Sequence, residues 1–267
     1  MIPVFVSGAA GRLGRRILAH VDAAPDLELA GAVVRQGSPA GGQACSALAG
    51  APLQADPQAQ CDLEGLGPRS VLVEVTPKGP ALVHARRAAD LGARLVIAST
   101  GFNAKERAEL QALAEQVPLL LAPNLSMGVA VLTDLVARAA RALPDYHLEL
   151  VELHHSQKRD APSGTAWALA RAAKQARGED ADRDAVLARA GEIGPRGEQE
   201  IGLQSVRGGD IIGEHTLYLV GPTERVELSH RAATRDVFAA GAVTAARFMG
   251  EPTRAPGLYS MSDVLGL

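Results

Sequence analysis

The chain has 267 residues, 47% of them hydrophobic, and its rings are limited to Phe 4, Trp 1 and Tyr 3. That length accommodates one α/β domain or two modest ones, with a core that must be aliphatic and Ala-rich. Lys+Arg 27 against Asp+Glu 30 gives a net charge of -3, so there is no basic excess for a phosphate backbone, few rings to stack on bases, and no apolar run near the roughly 20 residues that span a membrane.

From the N-terminus, Ile2 to Ser7 is a short apolar run predicted as a strand and ended by Gly8. Met1 to Gly8 has neither the charged n-region nor the long apolar region of a signal peptide. Leu13, Ile17, Leu18 and Val21 recur at helical spacing within Arg12 to Val21, and Leu27 to Val34 is a second strand. Residues 35–68, rich in Gly, Pro, Gln and Ala, are expected to be irregular apart from one short helix. They hold both cysteines, Cys45 and Cys61, whose separation matches no metal or redox motif. Free thiols, no bound metal and a cytoplasmic location are the expectation.

Regularity returns with a strand at Val71 to Val75, a helix from Pro80 to Leu91 stopped by Gly92, and a strand at Arg94 to Ala98. Asn103-Ala104-Lys105-Glu106 has the form of a capping box, and Leu119 to Leu121 is the next strand. Alternating strands and helices predict a Rossmann-type doubly wound parallel sheet closing near residue 125. Beyond it come a helix near Gly128 to Ala142, a strand from His147 to His155 and a helix from about Thr165 to Arg177. A charged stretch to Glu200 leads to strands at Ile201–Val206, His215–Val220 and Arg225–Ser229. This grouping predicts a second, α+β domain over 126–235 for substrate binding and oligomerisation. A last helix, about Val237 to Met249, would return to the dinucleotide-binding domain, so that 236–267 complete residues 1–125.

Gly8-Ala9-Ala10-Gly11-Arg12-Leu13-Gly14 joins the first strand to the first helix. The spacing is a variant of the dinucleotide fingerprint: Gly8 for the tight turn, Gly11 for approach of a pyrophosphate, Gly14 for close helix packing. An ordinary glycine-rich turn is the alternative; the flanking strand, helix and strand favour the nucleotide. At the end of the second strand, Ala32-Val33-Val34-Arg35-Gln36-Gly37 lacks the carboxylate that would hold a ribose 2′-hydroxyl. Arg35 either pairs with a 2′-phosphate or lies solvated against adenine; the first leans to NADPH over NADH.

Glu152-Leu153-His154-His155-Ser156-Gln157-Lys158-Arg159-Asp160-Ala161-Pro162-Ser163-Gly164-Thr165 is the strongest chemical signal. Two histidines at a strand's end point to opposite faces, so one alone meets the reaction centre. Lys158 follows in a loop, and Pro162-Ser163-Gly164-Thr165 opens a helix with hydroxyls and N–H groups suited to a carboxylate. An acid–base group, a cation and an anion cradle suit a dicarboxylate or other small anionic substrate. Structural histidines and a plain helix start are the alternative; a zinc site has no HExxH motif or nearby cysteine to support it.

These motifs, with Ser99-Thr100-Gly101-Phe102, Pro123-Asn124-Leu125-Ser126-Met127-Gly128-Val129, Arg207-Gly208-Gly209-Asp210-Ile211-Ile212-Gly213-Glu214-His215-Thr216 and His230-Arg231-Ala232-Ala233-Thr234-Arg235, resemble the 4-hydroxy-tetrahydrodipicolinate reductases, also called dihydrodipicolinate reductases. The resemblance runs in order along nearly the whole chain. It implies an enzyme of bacterial lysine and diaminopimelate synthesis that uses NAD(P)H to reduce a cyclic imine-type dicarboxylate to tetrahydrodipicolinate. It implies His154 as acid–base residue, Lys158 as second catalytic group, and His155, Ser163, Gly164 and Thr165 on the substrate carboxylates. Gly8, Ala9, Ala10, Gly11, Arg12 and Leu13 would line the cofactor with Arg35, Ala98-Ser99-Thr100 and Ala122-Pro123-Asn124-Leu125. It also implies a homotetramer assembled through sheets of the second domain.

The chemistry agrees: reduction of a conjugated carbon leaves charge that spreads into an enamine, and an imidazole, ordinarily of pKa about 6.5, can protonate it at neutral pH. The family usually has Glu-Arg at Val34-Arg35, Asp-Phe-Thr at Glu74-Val75-Thr76 and Gly-Thr-Thr-Gly at Ala98-Ser99-Thr100-Gly101, so this chain departs on the cofactor side alone. A reductase of another cyclic imine and a non-catalytic dinucleotide sensor are the competing readings. A sensor would need only the glycine turn, not His154 and Lys158.

Overall fold

The computed structural model describes residues 1–267, and the chain divides into two compact units, Met1–Ser126 with Asp236–Gly266, and Met127–Arg235. The first unit opens β1 (Ile2–Ser7), α1 (Arg12–Asp22), β2 (Leu27–Val33), α2 (Cys45–Ala49) and β3 (Ala59–Gln60). It continues with β4 (Val71–Glu74), α3 (Lys78–Asp90), β5 (Arg94–Ile97), α4 (Ala104–Ala114) and β6 (Pro118–Leu121). The second unit holds α5 (Met127–Ala142), β7 (His147–His154), α6 (Gly164–Gln175), α7 (Ala181–Asp184), β8 (Ala185–Val186), β9 (Ile201–Arg207), β10 (Glu214–Val220) and β11 (Arg225–Arg231). The chain then returns to the first unit for α8 (Asp236–Gly250), β12 (Gly257–Tyr259) and α9 (Met261–Leu265).

The first sheet is parallel, ordered β12-β6-β5-β4-β1-β2-β3. Strand order reverses between β1 and β4, and in such sheets ligands bind at the carboxyl ends beside that switch point. Its strands are buried almost throughout, as a sheet covered on both faces requires. α1 buries Gly14, Ile17, Leu18 and Val21, while Leu13, expected on the same stripe, is only half-buried at the first turn. The Asn103–Glu106 capping box forms in full, with Asn103 N donating to Glu106 at 2.6 Å and Glu106 N donating to Asn103 at 2.9 Å.

Five short elements depart from the sequence expectation. β3 and β8, two residues each, lie in stretches expected to be irregular or merely charged, together with α7. β12 and α9 lie beyond the last helix expected, and β12 adds a parallel edge strand beside β6. Strands this short carry too few residues to display a period of two, so only their partners define them. The core is aliphatic: among its buried hydrophobic residues Phe5 and Phe102 are the only rings.

The second sheet is mixed, ordered β11-β10-β7-β9-β8, with β7 parallel to β9 and antiparallel to β10. One face packs on α5 and α6 through Leu148, Leu150, Leu203, Leu217, Leu219, Leu132, Val136 and Leu169. Along β7 the alternation buries Leu148, Leu150, Glu152 and His154 on that face. Two apolar residues thus give way to two polar ones as the strand reaches its end.

Candidate active site

In the first unit the expected dinucleotide residues gather at the carboxyl edge of the sheet. Gly8 turns the chain with φ +84°, its N–H donating to Val33 O at 3.0 Å. A Cβ at Gly14 would lie 2.2 Å from Gly8 O, so the glycine is what lets α1 sit against the turn. The N-cap of α1 is Gly11 and no side chain caps the helix. First-turn N–H groups and the positive end of the dipole are therefore uncapped and suited to an anion, and Gly11 would give such a ligand backbone access. Ala9 is buried, Ala10 half-buried and Arg12 exposed in the same turn. These features fit a dinucleotide pyrophosphate.

The other expected residues follow β2, β5 and β6. Arg35 is exposed two residues past β2, and no carboxylate stands near it in sequence. Ala98 N donates to Glu74 O at 2.9 Å, and buried Ser99 donates to Thr76 O at 2.6 Å, with Thr100 exposed beyond it. Ala122 N donates to Ile97 O at 2.9 Å; Pro123 is exposed, Asn124 Oδ1 accepts from Ser126 N at 2.8 Å, and Leu125 is buried. One pairing was absent from the sequence expectation. Glu74, fully buried, accepts from His84 Nδ1 of α3 at 2.7 Å and from Thr76 N at 2.7 Å, while the same Nδ1 lies 3.1 Å from Ser7 Oγ. Burial pushes the Glu74 carboxyl up, but bonds from His84 and Thr76 outweigh it and hold the group below its ordinary 4.5.

The second unit gathers the remaining residues. His154 ends β7, buried, and His155 beyond it is half-buried, so the two histidines differ as the strand's alternation requires. His154 O accepts from Gly208 N at 2.9 Å and Ser156 N donates to Gly209 O at 3.1 Å, which lace the loop after β7 to the loop after β9. Lys158 donates to both oxygens of Asp160 at 2.8 Å. Ser163 caps α6, accepting from Ala166 N at 3.1 Å. A Cβ at Gly164 would meet nothing within 4 Å, so the first turn of α6 opens onto free space beside Thr165.

Beneath these residues lies a carboxylate to which the sequence reading gave no role. Glu152 is 0% exposed and holds His154 through Nδ1. It also accepts from Ser163 N at 3.1 Å and from both terminal nitrogens of Arg207, at 2.9 and 2.7 Å. Burial pushes its carboxyl up, but the bonds from His154 and Arg207 hold it well below the usual carboxylate range. His215, the strand partner of Glu152 on β10, packs edge-on against His154 with 5.3 Å between ring centroids, and its Nε2 lies 3.1 Å from Ser163 Oγ. Burial and the neighbouring His154 push His215 down to about 4, so its ring is neutral at physiological pH. Glu152 precedes His154 by two residues on one strand, a same-face signal legible in the sequence. Arg207 and His215 come beside it through strand register 55 and 52 residues distant from Glu152 and Ser163, which no local pattern marks.

A glycine-turn dinucleotide fold, joined to a unit carrying a histidine on a buried carboxylate, a lysine and an open helix N-terminus, defines the class of two-unit nicotinamide-type oxidoreductases. Residues 2–125 match the family model described as dihydrodipicolinate reductase, N-terminus, and residues 128–265 match its C-terminus. The chain belongs to the dihydrodipicolinate reductase family. It is 44% identical over 268 residues to the 4-hydroxy-tetrahydrodipicolinate reductase of Anaeromyxobacter dehalogenans (strain 2CP-C), covering 100% of this chain and 98% of that protein. It is 46% identical over 270 residues to the enzyme of the same name from Anaeromyxobacter sp. (strain Fw109-5), again covering 100% and 98%. In fold it is similar to the dipicolinate-bound dihydrodipicolinate reductase of Paenisporosarcina sp. TG-14, with TM-score 0.74, 22% identity and 97% of each chain covered.

Proposed function

We infer that this chain catalyses the NAD(P)H-dependent reduction of 4-hydroxy-tetrahydrodipicolinate to tetrahydrodipicolinate in lysine and diaminopimelate biosynthesis. The observation that carries the reading is His154 seated on a buried carboxylate in the same unit as Lys158 and the open first turn of α6. His154 is the acid–base residue, holding the proton that neutralises the reduced ring. Lys158 stabilises the developing negative charge and exchanges Asp160 for a substrate carboxylate. His155, Ser163, Gly164 and Thr165 hold the carboxylates, with the helix dipole adding to the attraction.

In the first unit Gly8, Ala9, Ala10, Gly11, Arg12 and Leu13 hold the pyrophosphate, and Arg35, Ala98, Ser99, Thr100, Ala122, Pro123, Asn124 and Leu125 line the rest of the dinucleotide. The bound nicotinamide supplies a hydride. NADPH is the favoured cofactor, because an arginine without a neighbouring carboxylate suits a 2′-phosphate better than a ribose hydroxyl. A homotetramer in the cytoplasm completes the reading; both thiols are unpaired, Cys45 buried and Cys61 exposed, and no helix is long and apolar enough to cross a membrane.

A different cyclic imine, or a sensor without chemistry, is not favoured: Lys158, His155 and the cradle that would have to differ are all in place. The deciding experiment couples the purified chain to a synthase that generates the unstable substrate and follows nicotinamide absorbance. Oxidation of NADPH or NADH that depends on the synthase is the expected result. Its absence with both cofactors would overturn the assignment of substrate.

A further inference from the structure

The acid–base role given to His154 leaves open which ring nitrogen does the work, and the groups behind the ring answer it. Nδ1 is committed to Glu152, a carboxylate with no exposure to water. Nε2 faces the other way, toward the loop between β9 and β10: a Cβ built on Gly213 would lie 3.0 Å from it. An ionised carboxylate only accepts, so Nδ1 bears a hydrogen whether the ring is neutral or charged. The exchangeable proton is then the one on Nε2.

Glu152 is itself fixed. Arg207 grips it with both terminal nitrogens, a planar fork matched to a carboxylate. The same guanidinium donates to Asp160 O at 2.7 Å, in the loop that carries Lys158. Ser163 N takes a further lone pair of Glu152, which ties it to the cap of α6. The groups around His154 are Glu152 from β7, Arg207 from β9 and His215 from β10. His215 in turn feels His230 of β11 and Lys158, and Lys158 is closed on Asp160. The only full negative charge in contact with the ring is Glu152, and Arg207 is the cation that balances it.

We propose that Glu152 and Arg207 are positioning residues for proton transfer: Glu152 locks His154 as the Nδ1–H tautomer with Nε2 presented to substrate, and Arg207 holds Glu152 in place while offsetting its charge. Glu152 without Arg207 would hold the imidazolium too firmly to release its proton. Arg207 without Glu152 would leave the ring free to turn. The proposal rests on the acid–base role of His154 stated above.

The test uses the full chain and three variants, Glu152→Gln, Arg207→Gln and Arg207→Lys, with ring nitrogen chemical shifts of His154 by NMR and kcat, KM and pH profiles in the coupled assay. The wild type is expected to show Nδ1–H, and Glu152→Gln to admit the Nε2–H form. That variant loses about 10²-fold in kcat with substrate KM held within about threefold. Its alkaline limb moves to lower pH, because the imidazolium has lost its counter-charge, and the limb of Arg207→Gln moves to higher pH, each by about one unit. Arg207→Lys restores most of the wild-type profile.

A purely structural ion pair would instead lower activity in proportion to folded protein and leave both limbs in place. That outcome, or an unchanged tautomer in Glu152→Gln, overturns the proposal. Should Glu152→Gln not fold, the limb of Arg207→Gln decides alone: movement to higher pH supports the proposal and no movement overturns it. An inactive wild type with the expected tautomer would overturn the substrate assignment and leave the tautomer lock standing.

Discussion

A histidine transfers a proton efficiently when its ring is held at one angle, and His154 is held from two sides. Glu152 takes Nδ1, the His215 ring packs nearly at right angles to it, and Gly213 leaves Nε2 its clearance. Replacing His154 by Gln removes the proton carrier and keeps a polar side chain of similar reach. In the coupled assay kcat is expected to fall by about 10²–10⁴-fold, while cofactor affinity, measured by nucleotide titration, stays as in the wild type. An unchanged kcat would remove His154 from the chemistry. Arg35 is the other residue whose identity decides a property. Exposed after β2 with no carboxylate next to it in sequence, it should give NADPH the lower KM when both cofactors are compared under the same conditions. A clear preference for NADH would refute that role.

Between elements, the Glu74–His84 contact ties β4 to α3 at the carboxyl edge where the dinucleotide turn lies. The folded protein holds Glu74 below its ordinary 4.5, so this carboxylate contributes stability that is fully present above that value and is lost as pH falls through the lower folded value. His84→Leu removes the buried carboxylate's side-chain donor and should cost about 1–3 kcal/mol near neutral pH. Urea unfolding of variant and wild type between pH 7 and 3 checks it: the gap should narrow as the medium falls below about 4.5, where protonation of Glu74 removes the charge that His84 stabilises. A gap that is constant across the range would assign the loss to packing of α3.

The elements also show what a sequence can display. β1, the glycine turn and α1 were legible because each carries its own signal: an apolar run, a spacing of glycines, a helical stripe through Ile17, Leu18 and Val21. The residues from His154 to Thr165 were legible for the same reason, since strand end, loop and helix start follow one another in the chain. Arg207 and His215, by contrast, are not legible as neighbours of Glu152 and His154. They meet through the registers β7 with β9 and β7 with β10, and register depends on pairing across long stretches of chain. β12 escaped likewise: three residues carry no period, and only their place beside β6 makes them a strand.

At the scale of the whole second unit, one face of its sheet packs on α5 and α6, and the other face turns away from those helices. Val151, Leu153, Gln204, Val206, Thr216 and Tyr218 alternate onto that second face. Val206 is 45% exposed, and Gln204 Nε2 is buried without a hydrogen-bond partner in the single chain. The proposed homotetramer would cover this face with sheets of other copies. Val206→Arg places a charge there and should shift sedimentation to species smaller than the tetramer, with the melting of the isolated chain little changed. A wild type that sediments as a monomer would refute the assembly itself.

The first sheet is closed from both ends of the chain, and this has a bearing on synthesis. β12 supplies its outer strand next to β6, and α8 packs on β1, β4, β5 and β6, yet both emerge only after residue 235. A ribosome that has delivered residues 1–235 has released every strand of the second sheet, while the first still lacks one edge and one covering helix. The unit carrying His154 can therefore complete its own pairings before the dinucleotide unit can. Until the final segment arrives, β6 presents an unpaired edge and the sheet an uncovered apolar face. A stalled or truncated chain is thus most exposed to aggregation at the dinucleotide unit, through a strand that the finished protein keeps paired on both sides.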